Sequence, residues 1–175
     1  MLYYIHGYLS SPDGDKGTLF SKQLQAKAIK YRDVPPENLV IADCLTRIQE
    51  EINNDEQAVL IGSSLGGFLA AKTAQLNSIA KLILINPAII PPTVDLSTID
   101  DMPDRILQDM QDEALFLSRI SADIDILVGT NDDLVPNEWS VEFAKAQQAR
   151  IQFYRDDHRF SNHLSQLPRI IKELL

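Results

Sequence analysis

Short apolar runs alternate along the chain with longer stretches in which apolar residues recur at every third or fourth position. Most of the short runs are almost continuously apolar and rich in β-branched residues, which is typical of strands that helices cover on both faces. They predict six β-strands, at Leu2–Ile5, Leu39–Ala42, Ala58–Ile61, Lys81–Ile85, Ile124–Val128 and Arg150–Tyr154.

The intervening stretches have the spacing of amphipathic helices. Their apolar stripes are Phe20, Leu24, Ala28 and Tyr31; Leu45, Ile48 and Ile52; Trp139, Phe143 and Ala146; and Leu164, Leu167, Ile171 and Leu174. This alternation predicts an α/β fold with a mostly parallel six-stranded sheet and helices on both faces. Because the alternation fills residues 1–175, we expect a single domain.

One connection is longer than the others. It runs from Pro87 to Asp123 and contains two adjacent prolines, a polar stretch and an acidic helical pattern around Ile106. A parallel strand pair needs a crossover helix in any case. The surplus residues could also form a small cap over a site within 88–122, and the sequence leaves both interpretations open.

The composition narrows the classes of function. Hydrophobic residues make up 45% of the chain and charged residues 23%, the balance of an ordinary globular domain. The formal net charge of −9 disfavours binding to nucleic acid or to anionic membranes, which requires clustered Lys and Arg. The single cysteine, Cys44, excludes an internal disulfide, and no stretch approaches the roughly 18 apolar residues of a membrane span. The N-terminus also lacks the pattern of a signal peptide, so we expect a cytoplasmic protein.

The stretch from Gly62 to Gly66 fits the G-x-S-x-G pattern of a nucleophile elbow, with Ser64 as the nucleophile. It follows the apolar strand 58–61 and precedes a helix rich in small residues. A serine on such a strand-to-helix turn exposes its Oγ, and the backbone N–H of Leu65 at the helix N-terminus can stabilise an oxyanion. The alternative is a glycine-rich turn that only tightens the packing of helix on strand.

A serine nucleophile needs a base and an acid that orients the base. In parallel sheets of this kind both follow the serine in chain order, each at the carboxyl end of a later strand. Asp132 follows the fifth predicted strand and His158 follows the sixth. The order Ser64, Asp132, His158 therefore predicts a catalytic triad.

Other residues compete for two of these roles. Asp132 is the preferred acid because the fourth residue from the glycine usually points at the histidine in such loops, and Asp133 would then cap the helix after Pro136. His163 competes with His158 as the base, although it lies where the last helix is expected to begin. His6 would invert the chain order of the triad.

The first strand ends in His6-Gly7-Tyr8. A loop at this position supplies the second oxyanion donor in hydrolases of this type, which predicts the backbone N–H of Tyr8 as that donor. Gly7 allows the backbone to approach a substrate closely. The alternative is a turn that merely ends the strand.

Other chemistries lack their sequence patterns. The three histidines are far apart and show no zinc-ligand spacing, and neither a P-loop nor a dinucleotide-binding glycine motif is present. We therefore predict no metal and no cofactor. Cys44 is expected to be a small buried residue at the end of the second predicted strand.

Four segments together resemble the landmarks of a known family. They are residues 6–12, 62–68, 86–88 and 157–160. In this combination they are similar to the YqiA-like esterases, a family of small bacterial α/β-hydrolases, over essentially the whole chain. The chain departs from the pattern in its Asp132-Asp133 pair and in lacking an extended loop around 43–48.

The resemblance implies a reduced α/β-hydrolase fold without the first two strands of larger relatives. It also implies hydrolysis of acyl esters or thioesters, with Ser64, Asp132 and His158 as the triad and the backbone N–H groups of Tyr8 and Leu65 as oxyanion donors. A small-molecule acyl ester or thioester is thus the expected partner, and the sequence does not indicate an oligomeric state.

Two questions stay open at this point. Lys16, Arg47 and Arg159 lie in or near loops at the catalytic edge and could bind an anionic head group, although solvated surface charges are the simpler interpretation. The same fold also hosts binding proteins without catalytic activity. A complete Ser, Asp, His order favours an enzyme.

Overall fold

The computed structural model describes residues 1–175. The six strands are β1 Leu2–Ile5, β2 Lys27–Ala28, β3 Val59–Ser63, β4 Lys81–Ile85, β5 Asp123–Gly129 and β6 Arg150–Tyr154. The seven α-helices are α1 Asp15–Leu24, α2 Ile41–Ile52, α3 Leu65–Leu76, α4 Asp104–Met110, α5 Ala114–Leu117, α6 Asn137–Gln147 and α7 Leu167–Leu174. Short 3-10 turns cover Pro36–Asn38, Leu96–Thr98 and Leu164–Gln166.

The strands form one sheet in the order β2-β1-β3-β4-β5-β6, and every neighbouring pair is parallel. Helices cover both faces: α1 and α7 pack on one, and α2 to α6 pack on the other. Side chains alternate along the central strands, so that Ile61 and Ile83 belong to the first layer, whereas Leu60 and Leu82 belong to the second. The predicted parallel six-stranded α/β architecture is confirmed.

The prediction of a strand at residues 39–42 is wrong. Residues 39–42 do not form a strand, because α2 begins at Ile41 and buries Ile41, Cys44 and Ile48 along one helical stripe. Cys44 is buried as expected, but it lies in this helix. The apolar run imitates a strand because the residues that lead into the helix are also apolar.

The real second strand is the edge strand β2, which has two residues and is therefore too short to show a pattern in the sequence. The predicted helical stripe that included Ala28 and Tyr31 is wrong for the same segment. Helix α1 ends at Leu24, and Gln25 adopts a left-handed conformation with φ 56°. Ala28 then pairs with Tyr4 of β1.

The long connection 88–122 packs mainly as part of the core. It carries α4 and α5, and the buried side chains of Ile106, Leu107, Met110 and Leu115 join the larger hydrophobic cluster. Helix α5 contacts α3 and α6, and Arg105 donates hydrogen bonds to the carbonyl oxygens of Glu37 and Leu39 ahead of α2.

The parallel topology brings the loops after the central strands to one edge of the sheet. Ser64, Asn86, Asp132 and His158 follow β3, β4, β5 and β6, in that order, and His6 follows β1. As a separate observation, none of the helices combines the length and the apolar character needed to cross a bilayer.

Candidate active site

Ser64 lies between β3 and α3 in a strained backbone conformation, with φ 55° and ψ −123°. Non-glycine residues rarely adopt such a positive φ, and they keep it only where surrounding contacts enforce it. Here the Ser64 N–H donates to the carbonyl oxygen of Ile85 at 3.1 Å, and its carbonyl oxygen accepts from the Ala88 N–H at 3.0 Å. The turn therefore has the backbone geometry of a nucleophile elbow.

The glycines on either side of this serine are required by close backbone contacts. A Cβ atom at Gly62 would lie 2.4 Å from the carbonyl oxygen of Gly66. A Cβ atom at Gly66 would lie 2.1 Å from the carbonyl oxygen of Ile5 in β1. Both distances are far inside van der Waals contact, so any side chain at these positions would push the elbow away from the sheet.

Asp132 and His158 form a direct pair across the loops after β5 and β6. His158 Nδ1 lies 2.8 Å from Asp132 Oδ2 and 3.0 Å from Oδ1. Because a carboxylate only accepts hydrogen bonds, Nδ1 must carry the proton, which leaves the lone pair on Nε2 when the ring is neutral. This is the tautomer that a general base requires.

The carboxylate of Asp132 is held in place from its own loop. Its Oδ1 accepts hydrogen bonds from the backbone N–H groups of Leu134 and Val135, each at 2.9 Å, and the side chain is 1% exposed. Asp133 is exposed and forms no hydrogen bond with the imidazole of His158. Of the two aspartates, the structure therefore brings Asp132 to the histidine.

The hydroxyl group of Ser64 forms no hydrogen bond with the His158 ring in this structure. The two residues are linked instead through β4. The carbonyl oxygen of Ile85 binds the Ser64 N–H, and the side chain of the next residue, Asn86, binds the His158 carbonyl oxygen at 3.0 Å. Catalytic hydrogen bonds in free enzymes are often long and shorten when substrate binds.

A second Asp–His pair lies within the loop that carries His158. The Asp156 carboxylate is 0% exposed and lies 2.7 Å from His163 Nδ1. It also accepts hydrogen bonds from the backbone N–H groups of Asp157, Asn162 and His163. These bonds fold residues 156–163 into a compact turn, and His163 points to Asp156 rather than to Asp132.

The peptide between Gly7 and Tyr8 passes directly beside Ser64. A Cβ atom at Gly7 would lie 3.2 Å from Ser64 Cβ. The Gly7 carbonyl oxygen accepts from His6 Nδ1 at 2.9 Å, from the Tyr31 hydroxyl at 3.3 Å and from the Ser10 N–H at 3.2 Å. Burial lowers the pKa of His6 to about 4, so this ring donates from Nδ1 while neutral.

The orientation of that carbonyl determines the orientation of the adjacent N–H. The chain has no cis peptide bonds, and in a trans peptide the C=O and N–H groups point in opposite directions. The Tyr8 N–H therefore points away from Tyr31, and it donates to no other protein group. The Leu65 N–H, at the start of α3, is likewise unused by the protein. Neither of the two N–H groups predicted as oxyanion donors is thus used by a protein acceptor.

The three predicted cations differ in their surroundings. Lys16 Nζ donates to the carbonyl oxygen of Arg159 at 2.7 Å, and burial lowers the pKa of its ammonium group. Arg47 is paired with Asp33, away from the His158 loop. Arg159 itself is exposed, and its guanidinium group has no protein partner. Of these three cations, only Arg159 therefore presents an unpaired charge next to His158.

Three residues at this edge were not predicted to act on the site: Asn86, Tyr31 and Asp156. Asn86 could have been suspected, because it is a polar residue directly after an apolar strand that ends at the same edge of the sheet. The sequence pattern predicts Tyr31 in a helical stripe, and it predicts no role for Asp156. Their hydrogen bonds depend on folding and leave no local pattern.

Solved structures with similar folds cover nearly the whole chain. Est1E from Butyrivibrio proteoclasticus with bound ferulic acid has a TM-score of 0.80 and 20% identity, covering 99% of this chain and 86% of that one. Alpha/beta hydrolase domain-containing protein 10 from mouse has a TM-score of 0.75 and 18% identity, with coverage of 99% and 88%. A monoacylglycerol lipase from Paleococcus ferrophilus has a TM-score of 0.72 and 16% identity, with coverage of 99% and 92%. These similarities show that the chain has the α/β-hydrolase fold.

The sequence comparisons identify the family. A UPF0227 protein from Shewanella woodyi is 25% identical to this chain. The alignment is 179 residues long, including gaps, and covers 97% of each chain. The model of UPF0227, described as an uncharacterised protein family, matches residues 1–174. UPF0227 is the YqiA family, so the resemblance seen in the sequence is confirmed. The chain therefore belongs to the UPF0227 family.

Proposed function

We propose that this protein is a serine hydrolase that cleaves carboxylic esters or thioesters of acyl substrates through an acyl-enzyme intermediate. The observation that carries the proposal is the Asp132–His158 pair, whose 2.8 Å hydrogen bond leaves Nε2 free at the edge of the sheet where the strained Ser64 lies. A binding protein on the same fold would need neither this pair nor the strained serine.

The first half of the reaction acylates Ser64. His158 Nε2 accepts the hydroxyl proton while Oγ attacks the carbonyl carbon, and the backbone N–H groups of Leu65 and Tyr8 hold the oxyanion. Asp132 stabilises the imidazolium that forms. The tetrahedral intermediate then collapses, the bond to the alcohol or thiol breaks, and His158 returns its proton to that leaving group.

The second half releases the acid. His158 accepts a proton from a water molecule, whose oxygen attacks the acyl-enzyme carbonyl, and the resulting intermediate expels Ser64 Oγ. The hydroxyl group recovers its proton from the imidazolium. Apart from the substrate and water, the proposed steps use only side chains and backbone groups of this chain.

The substrate class is supported by less direct observations. One similar structure holds ferulic acid, a carboxylic acid, and another is a monoacylglycerol lipase. Both fit an acyl substrate. The exposed Arg159 next to His158 could receive an anionic head group, whereas Lys16 already binds a backbone carbonyl. The acyl substrate and a cytoplasmic location remain predictions from the sequence.

Covalent labelling tests the proposal. A fluorophosphonate probe should label the wild-type protein at Ser64, and Ser64→Ala should lose labelling and lower kcat for a short-chain ester by about a millionfold. The neighbouring Ser63→Ala variant is the matched control and should retain both. Labelling at another residue, or full activity in Ser64→Ala, would overturn the proposal and favour a non-catalytic binding protein or a different nucleophile.

A further inference from the structure

We propose that Asn86 is a positioning residue that fixes the backbone of His158 relative to the Ser64 elbow. The inference concerns the same site and rests on the proposed function for its catalytic consequence. Asn86 directly follows β4, is 1% exposed and has a left-handed backbone with φ 42°. A buried amide in a strained conformation at this edge calls for an explanation beyond packing.

The side-chain amide of Asn86 binds both of the loops that carry the proposed acid and base. Its Oδ1 accepts from the Gly129 N–H at 2.7 Å, at the end of β5 and three residues before Asp132. Its Nδ2 donates to the carbonyl oxygens of Asp157 at 3.1 Å and His158 at 3.0 Å. The two N–H donors and the acceptor of one amide are thus all used.

The backbone around Asn86 binds the third loop. The Ile85 carbonyl oxygen accepts from the Ser64 N–H, and the Ala88 N–H donates to the Ser64 carbonyl oxygen. The Asn86 N–H itself donates to the carbonyl oxygen of Leu127 in β5. Asn86 therefore connects the loops of all three proposed triad residues, which lie up to 94 residues apart in the sequence (64 to 158).

This arrangement matters because Ser64 and His158 share no hydrogen bond of their own in the free protein. Their separation depends on the backbones that carry them, and the amide of Asn86 is the side chain that holds the His158 carbonyl. A displacement of about 1 Å in a reacting group can lower the rate by about a hundredfold. Asn86 is fully buried behind the site, so its loss should lower kcat more than it raises KM.

Two variants of Asn86 separate positioning from general stability. Asn86→Gly tolerates φ 42° and removes all three side-chain hydrogen bonds. Asn86→Asp keeps the acceptor for the Gly129 N–H but loses the donors to Asp157 and His158. We expect kcat for a short-chain ester to fall about a hundredfold or more in both variants, with KM changed less than about threefold.

The matched control is Asn77→Asp, which also removes an amide donor, here to the carbonyl oxygen of Thr73 at the end of α3. It should lower stability without lowering kcat. All variants are assayed at a temperature where circular dichroism shows them folded. Wild-type kcat in a folded Asn86→Gly protein would overturn the proposal, and so would an equal loss in Asn77→Asp.

A readout that does not depend on catalysis separates this proposal from the proposed function. In NMR spectra of the full chain with labelled histidines, Asn86→Gly should shift or broaden the ring signals of His158 and leave those of His163 in place. If the wild-type protein hydrolyses no ester and Asn86→Gly still causes this selective change, the proposed function alone is refuted. Unchanged His158 signals, or equal changes at both rings, would refute the positioning role of Asn86.

Discussion

Two Asp–His pairs lie at the same edge of the sheet, and both involve the loop after β6. The distances between the imidazole Nδ1 and the carboxylate oxygen hardly differ between the two pairs. The Asp132–His158 distance is 2.8 Å and the Asp156–His163 distance is 2.7 Å. Both carboxylates are almost completely buried, and both accept backbone hydrogen bonds besides the imidazole. Geometry at the level of a single hydrogen bond therefore does not distinguish their roles.

The position of each pair in the chain does distinguish them. Asp132 and His158 are separated by 26 residues and join the loops after two adjacent strands. Asp156 and His163 are separated by seven residues and close one loop on itself, with the His163 ring packed edge-on against Tyr154 at 5.5 Å. The first pair can act together with Ser64, which follows another strand. The second pair stabilises the turn that carries His158.

The largest difference is expected when the histidines are removed. His158→Ala should lower kcat by about a millionfold, because Ser64 would lose its proposed base. His163→Ala should change kcat less than about tenfold and instead lower the free energy of unfolding by about 2 kcal/mol, since the buried Asp156 carboxylate loses a partner. Steady-state ester hydrolysis and urea unfolding of both variants check this. Similar activities in the two variants would mean that the pairs have been assigned the wrong roles.

Conversion of the aspartates to asparagine should give a smaller contrast. In Asp132→Asn the amide favours the wrong imidazole tautomer, so we expect kcat to fall by about ten-thousandfold at neutral pH. Asp156→Asn retains an acceptor for some of the backbone N–H groups and should keep kcat within about tenfold. Asp133→Asn is the control and should leave activity unchanged, because Asp133 does not bond to the histidine. A loss in Asp133→Asn as large as that in Asp132→Asn would contradict the assignment of the acid.

The sequence was sufficient to predict the strands that precede Ser64, Asp132 and His158. It was insufficient to predict the hydrogen bonds that hold the loops of these residues in place. Five predicted strands, β1, β3, β4, β5 and β6, agree with the structure to within two residues at either end. The predicted runs for β1 and β3 are continuously apolar, and that for β5 is interrupted only by Asp125; each is followed by a polar or glycine-rich turn, which is a local signal. The run for β6 also contains Arg150 and Gln152 and gives a weaker signal. Their order along the chain placed the candidate residues at one edge because parallel strands share their direction.

The failures have a different physical origin. Strand β2 is stabilised by pairing with β1 and is too short to show a period. In the run 39–42, only Leu39 and Ile41 are buried, at the start of α2. The amide of Asn86 bonds to Gly129 and His158, which are 43 and 72 residues away. Such partners become neighbours only when the sheet forms, so no sequence pattern identifies them.

The smallest predicted effect concerns pH and applies to the Asp156–His163 pair. Burial by itself would raise the pKa of Asp156, but hydrogen bonds from the Asn162 N–H, the His163 ring and the backbone of Asp157 outweigh it and lower the pKa below its ordinary value. A carboxyl whose pKa is lowered by folding stabilises the protein above its unfolded pKa of about 4, and that contribution is lost as the pH falls through the folded value.

Urea unfolding of the wild type and of Asp156→Asn between pH 7 and pH 3 tests this. The wild type should be more stable by about 2 kcal/mol at pH 5 to 7, and this advantage should shrink as the pH falls below about 4. The exposed Asp133→Asn variant should match the wild type throughout. A difference for Asp156→Asn that stays constant down to pH 3 would show that the carboxylate charge does not stabilise the turn. The stability of the His158 loop would then have to come from the bonds of Asn86, Lys16 and the Asp157 side chain instead.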